Sequence, residues 1–434
     1  MHNRSHYYLK HRHSSHNRDA DIQLGFPGTA DVYDSPIDVV VDVADDDQRI
    51  DVLGLGQAMI DFSAAVGDSW LDDLQVNKSS RKLITVEERA QLLHRLDAED
   101  YAVSAGGSLS NTLMALARLG AASHRHTSLF PPPSPCSTGQ RPLRVAMAGL
   151  IGNDPQGSFY AAQMQSAGVD VVSPPTEGCL TGTVVVLTSP DAQRTMLSYL
   201  GTPAPILLDA TLQRAISRSS VLVIEGYLWE LPGIEDTICQ AIAVAQRSGC
   251  VVAMTAGDAG VVQRHGPEMW RAIHSGIDLL FTNAGEAAAL VECEPGSGGS
   301  GRGGGSTVTK AATATAEEAA LALGPHCSLV CVTDGANGSV LTALGQLHVV
   351  PPHWTPRPPI DTCGAGDAYA AGLLLGFLRK YDVNAMGRAG ARAASAVIHS
   401  HGATMTEEAA RGVAASLPIA ALSMEKVGAQ VIGR

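Results

Sequence analysis

The string Asp361-Thr362-Cys363-Gly364-Ala365-Gly366-Asp367 places two glycines and an acid where a loop turns into a helix. The run Ala368–Arg379 that follows has good helix formers and apolar spacing, so Ala365–Asp367 belong to a first helical turn. Such a turn presents unpaired backbone N–H groups and the positive end of the helix dipole, a site for anionic oxygens. Gly364 and Gly366 let the backbone approach a phosphate with no Cβ in the way. An acid beside a phosphate site is electrostatically out of place unless it has a task, and accepting the proton of an attacking hydroxyl is the natural one. Taken alone, a bare Gly-Ala-Gly-Asp would read as an acidic helix start after a Gly-rich turn.

Three further strings offer the other groups that phosphoryl transfer needs. Gly54-Leu55-Gly56-Gln57-Ala58-Met59-Ile60-Asp61 ends a strand on an acid, and Ala105-Gly106-Gly107-Ser108-Leu109-Ser110-Asn111 opens a helix with two glycines and an asparagine. A carboxylate and a carboxamide can together accept from and donate to a vicinal diol. For Asn111 a helix-cap role is the alternative. Asn283-Ala284-Gly285-Glu286 follows an apolar strand and sets Asn283 and Glu286 on one face of a first turn, able to hold magnesium through its waters; a plain helix start is the alternative. Thr333-Asp334-Gly335-Ala336-Asn337-Gly338 follows the apolar run Leu329–Val332 and reads equally as a hairpin turn before Ser339–Thr342.

In this order the strings resemble the ribokinase-like (PfkB) family of sugar and nucleoside kinases over about residues 50–415. The family's closing D-T-x-G-A-G-D stands complete at Asp361–Asp367, its A-G-G-x-x-x-N at Ala105–Asn111, its N-x-x-E at Asn283–Glu286 and its T-x-G-x-x-G at Thr333–Gly338. The resemblance implies Asp367 as the base, with backbone amides from Gly364, Ala365 and Gly366 around the transferring group. It sets Asp61, Gly107 and Asn111 on the acceptor hydroxyls, with Asp61 and Asn111 touching only the acceptor and Gly106 giving backbone clearance. Asn283, Thr333, Gly335 and Gly338 would serve the nucleotide, and Gly402-Ala403 would close the adenine pocket. Glu286 would hold Mg2+ through water, and Asp361 with the Cys363 carbonyl would hold K+. Arg194, near the turn Asp191–Thr195, reads as a lid-surface residue rather than a phosphate ligand.

The implied reaction is ATP-dependent phosphorylation of a hydroxymethyl group on a sugar or nucleoside. The wording around Gln57, Ser108–Asn111 and Pro190–Met196 is closest to the adenosine-kinase-like and plastid-associated members, which suggests a nucleoside or pentose-type sugar and does not choose between them. Those plastid relatives also supply an alternative, a catalytically weak scaffold in a plastid gene-expression complex. The intact Asp367 and its two glycines favour the enzyme.

Positioning these groups requires an α/β chain. Strand-like and helical runs alternate: Val52–Leu55 then Ser110–Leu119, Val145–Leu150 then Phe159–Ala167, Val221–Ile224 then Ile238–Gln246, Val251–Met254, Leu279–Thr282 then Ala284–Val291, and Leu329–Val332. The expectation is a doubly wound, mostly parallel sheet with helices on both faces, in a kinase domain of residues 49–418. Two stretches break the rhythm, residues 61–103 and 182–198, the second patterned as a hairpin; in the resembled family these regions form a small β-sheet lid. Gly/Pro/Ser-rich segments at 131–139 and 295–306 read as solvent loops, and residues 419–434 as a tail. Neither Gly54-Leu55-Gly56, where Met59 replaces the third glycine of a dinucleotide fingerprint, nor the 295–306 segment, which lacks Gly-Lys-Ser/Thr, is a nucleotide motif.

Composition narrows the partners. A net charge of −13 argues against nucleic acid, whose affinity comes from Lys and Arg, so an anionic nucleotide has to be held by backbone amides, a metal and a few local cations. No apolar run approaches the ~18 residues of a membrane span. The eight cysteines form no CxxC pair, and Cys327 and Cys331 sit in a buried-strand pattern, which fits neither zinc nor a disulfide framework. Residues 1–48 begin His/Arg/Ser-rich without an acid before Asp19 and turn acidic at Asp42–Asp47, the pattern of a disordered leader or transit-peptide remnant. The expectation is a soluble protein of plastid or cytoplasm, monomer or homodimer, acting on a small molecule.

Overall fold

The structure is a computed structural model that describes residues 49–78, 80–129, 141–191, 193–202, 204–295 and 314–417. The leader 1–48, the segment 131–139, all but the first residue of 295–306, and the tail 419–434 lie outside the described residues.

The first half of the chain runs β1 (Ile50–Gln57), β2 (Met59–Ala65), α1 (Asp68–Asp73), β3 (Arg81–Leu83), α2 (Val86–Leu96), β4 (Tyr101–Gly106), α3 (Ser108–Leu129), β5 (Val145–Leu150), α4 (Pro155–Ser166), β6 (Val169–Val171), β7 (Gly182–Thr188) and β8 (Arg194–Tyr199). It continues with α5 (Ala210–Ser217), β9 (Ser219–Ile224), α6 (Ile234–Arg247), β10 (Val251–Thr255), α7 (Ala259–Gly276), β11 (Leu279–Asn283), α8 (Ala284–Glu292), α9 (Ala316–Leu323), β12 (Leu329–Thr333), β13 (Ser339–Ala343), β14 (Gln346–Val350), α10 (Ala365–Leu378), α11 (Val383–Val397) and α12 (Glu407–Ser416).

The larger sheet has the order β14-β13-β12-β11-β10-β9-β1-β5-β6. Its strands are parallel from β12 through β6, and β13 and β14 extend it antiparallel. Because both faces are covered, the central strands are apolar and buried over most of their length, and the two-residue period sorts side chains between two cores. Val52, Val221, Val223 and Ala253 pack with α3, α10, α11 and α12. Leu53, Leu55, Leu222, Ile224 and Met254 pack with α5 to α9 on the opposite face. The doubly wound expectation holds.

The smaller sheet, β3-β8-β7-β2-β4, is the lid expected from residues 61–103 and 182–198. It joins the body directly, since β2 follows β1 after Ala58 alone. Its register aligns Asp61 with Val184, Val184 with Ser198 and Ser198 with Leu83, so these alternate residues share one face. The periodicity did not show α7: Pro267 lies inside it, and His265 leaves helical geometry at φ −124°, ψ 16°, because Pro cannot donate to the ladder.

Candidate active site

The C-terminal ends of β1, β9, β10, β11 and β12 all open onto one cleft, where an open parallel sheet normally binds its ligand. The cleft encloses about 1140 Å³ between the body and the lid.

Its floor is the start of α10. Gly364 is the N-cap, with φ +74°, and a Cβ there would lie 2.3 Å from the Ala403 carbonyl oxygen. Both the left-handed backbone and the close approach of the 402–403 loop therefore demand glycine. Gly366 is different: nothing lies within 4 Å of a Cβ built on it, and it lines the cleft. Its missing side chain leaves room for a ligand rather than for protein.

Asp367, in the same first turn, meets the start of α3. Ser108 Oγ donates to Asp367 Oδ1 at 2.6 Å and Asn111 Nδ2 to Oδ2 at 3.2 Å. Asn111 is thus no pure acceptor ligand; it also holds the acid proposed as base. Asn111 Oδ1 is buried with no protein partner, and Asn111 lines the cleft, so this oxygen is available to a ligand hydroxyl. Ser108 was missed by the sequence reading, whose family string leaves that position unspecified.

Asp61 lies in β2 beside Gly106 of β4. A Cβ on Gly106 would fall 2.1 Å from the Asp61 carboxyl carbon, so the clearance Gly106 provides is for Asp61 rather than for substrate. Gly107, at φ +90°, turns the chain from β4 into α3 and lines the cleft. Burial, with the charge of Asp367 nearby, pushes the Asp61 carboxyl up to about 7. Burial also pushes Asp367 up to about 6, against the hydrogen bonds from Ser108 and Asn111 that pull it down.

A third carboxylate, Glu225, follows β9 and was not anticipated. It is 2% exposed and accepts from the Gln57 and Leu109 backbone N–H groups at 3.0 and 3.2 Å, tying the ends of β1 and β9 to the first turn of α3. Burial raises it to about 7. Gly56 makes the room, since a Cβ there would stand 2.7 Å from Glu225 Oε2.

On the opposite side of the cleft, Asn283 and Glu286 form a reciprocal capping box at the start of α8: the Asn283 backbone N–H and Nδ2 donate to Glu286 at 2.9 and 2.6 Å, and the Glu286 N–H donates back to Asn283 Oδ1 at 2.9 Å. The helix-start reading describes this pair, and Glu286 also lines the cleft. Burial pushes it up to about 7, with Asp258 and Asp367 adding negative potential. A hydrated divalent cation fits such an accumulation of carboxylates. Thr333 lines the cleft as expected. Gly335 and Gly338 do not line it; they shape the β12–β13 turn, where Gly338 at φ +97° approaches the Val350 carbonyl. Gly402 donates its N–H to Asp361 at 2.8 Å, and it is the next residue, Ala403, that reaches the cleft. Ala365 and Gly106 stand behind the cleft surface as well.

Four basic side chains line the cleft, and each is matched to an acid: Arg81 to Asp258 at 2.8 Å, Lys82 to Glu88 at 2.9 Å, Arg264 to Glu230, and Arg194 to Asp361. Arg81 also contacts the Tyr227 hydroxyl, joining lid strand β3 to the body. The placement of Arg194 corrects the lid-surface reading: its side chain is 24% exposed and reaches down from β8 to Asp361. The lid face above the floor is apolar at Val184, Val186, Met196 and Leu83, a roof that displaces water. No cysteine pairs with another among the described residues, and no described helix is long and apolar enough to cross a membrane.

Comparisons with known proteins identify the family. The family described as pfkB family carbohydrate kinase matches residues 78–410. A 5-dehydro-2-deoxygluconokinase of Shouchella clausii is 23% identical over 360 residues, covering 82% of this chain and 91% of the relative. The solved adenosine kinase of Sinorhizobium meliloti superposes with a TM-score of 0.68 at 27% identity, covering 85% of this chain and 99% of that one. A probable sugar kinase of Rhizobium etli CFN 42 gives 0.67 at 26% identity over 85% and 98%. The chain belongs to the pfkB family of carbohydrate kinases and is an ATP-dependent kinase.

Proposed function

We propose that the protein transfers the γ-phosphoryl group of ATP to the hydroxymethyl group of an uncharged sugar or nucleoside, with Asp367 as the base. The observation that carries this reading is the meeting of α10 and α3: one carboxylate, held by Ser108 and Asn111, stands in the same first turn as the open face of Gly366. Asp61 and the free Asn111 Oδ1 accept from the acceptor's vicinal hydroxyls and orient its hydroxymethyl oxygen toward Asp367. Asp367 takes the proton as that oxygen attacks phosphorus. Phosphoryl transfer is largely dissociative, so deprotonation comes late and a carboxylate of modest basicity suffices. Backbone N–H groups at the start of α10 stabilise charge on the moving group. Magnesium, which Glu286 would hold through water, supplies further neutralisation of that charge when bound. The lid's apolar face keeps water from competing as acceptor.

The uncharged acceptor follows from charge matching. Every basic side chain among the described residues that line the cleft is already paired, so a phosphate on the acceptor would face Asp61 and Glu225 with no unpaired cation at the cleft wall. The test is a panel of neutral sugars, nucleosides and their monophosphates, incubated with ATP and Mg2+ and analysed by mass spectrometry for a new phosphoester. Turnover of a phosphorylated sugar in preference to every neutral one overturns the assignment.

A further inference from the structure

The resemblance at Asp361–Asp367 implies a monovalent cation beside Asp361, and the residues there do not fit one. Asp361 is 5% exposed, and both of its oxygens are taken. Oδ1 accepts from the Cys363 N–H at 2.8 Å. Oδ2 accepts from the Gly402 N–H at 2.8 Å and from the Arg194 guanidinium. One buried negative charge is therefore met by one positive charge that the chain itself supplies. A potassium ion added to this pair would leave the site with net positive charge and would compete with a guanidinium already in hydrogen-bond contact.

The position of Arg194 gives the contact a consequence. It is the first residue of β8, paired with Thr188 at the end of the lid hairpin, whereas Asp361 ties together the 361–364 loop that precedes α10 and the 402–403 loop that packs on Gly364. We propose that Arg194 takes the place of the monovalent cation: lid closure itself delivers the charge that orders the anion-binding start of α10, and catalysis is independent of potassium. Arg194 is a positioning residue in this scheme, acting through Asp361 and its two backbone partners.

The inference rests on the kinase reading for its activity arm and not for its binding arm. The full chain, Arg194→Ala and Arg194→Lys are assayed in potassium chloride and in choline chloride at equal ionic strength, so that screening is constant. The unaltered protein should show less than a twofold difference in kcat between the salts. Arg194→Ala should lose about tenfold or more in choline chloride and recover several-fold in potassium chloride, while Arg194→Lys, which keeps the charge, should not respond to potassium. Melting temperatures in the same two salts read cation binding without any turnover: only Arg194→Ala should be stabilised by potassium over choline. If no acceptor is turned over, the melting result still decides the matter. Potassium activation or stabilisation of the unaltered protein overturns the proposal, and so does an Arg194→Ala protein that ignores potassium in both measurements.

Discussion

The Ser108 hydroxyl donates a 2.6 Å hydrogen bond to the Asp367 carboxylate across 259 residues of sequence. That contact joins the first turns of α3 and α10 and sets the electrostatics of the proposed base. Burial makes Asp367 a weaker acid, and Ser108 and Asn111 hold it back from rising further.

The first prediction concerns the base itself. Asp367→Asn keeps size and both neighbouring hydrogen-bonding groups but cannot accept a proton. Turnover should fall by ~10²-fold or more with ATP affinity largely kept, as read by single-turnover kinetics beside calorimetric titration. Near-normal turnover would remove Asp367 from its role.

A pH profile tests the pair of contacts. With Asp367 near 6 and Asp61 near 7, kcat/KM should fall on acidification along a limb between those values that belongs to the pair. Ser108→Ala removes a bond that favours the charged form, so the limb should move to higher pH. A limb that stays in place would show that Ser108 does not tune the base.

Asp61 offers a stability test with a definite sign. Its folded pKa stands above the unfolded value, so the folded state binds the proton more tightly and stability is lost as pH rises through the folded pKa of about 7. Asp61→Asn should therefore raise the melting temperature at pH 8, by on the order of 1–2 kcal/mol of stability, with the difference shrinking at pH 5. Acceptor use should weaken at the same time. A destabilised variant at pH 8 would mean that Asp61 is held by contacts stronger than its burial cost.

The two glycines of the α10 start should part company. Gly364→Ala meets both a left-handed backbone and the Ala403 carbonyl, so it should lower the melting temperature as well as activity. Gly366→Val meets no protein atom within 4 Å of its Cβ and should melt close to the unaltered protein while losing phosphoryl transfer. Equal loss of stability in both would refute the view that the space at Gly366 belongs to a ligand.

Much of this was legible in the sequence because it is local. The alternation of apolar runs pointed to a doubly wound sheet, and each signature string lies in a short stretch of chain whose turn or cap is built largely from its own residues, as in the Asn283–Glu286 capping box and the Thr333–Gly338 turn. Asp367, Gly364, Gly366, Asp61, Asn111, Asn283, Glu286 and Thr333 were singled out in this way, and all of them line the one cleft. The fold alone decided what those strings meet. Ser108 reads as an unremarkable helix-start serine until α3 and α10 are packed together, and Glu225 as a strand-end acid until Gly56 makes room for it beneath α3. Gly106 and Gly402 proved to serve Asp61 and Asp361 rather than a ligand, and Arg194 left the surface for a buried carboxylate. Backbone geometry is written into short stretches of chain, whereas the pairing of charges depends on which distant loops the sheet brings to the same end.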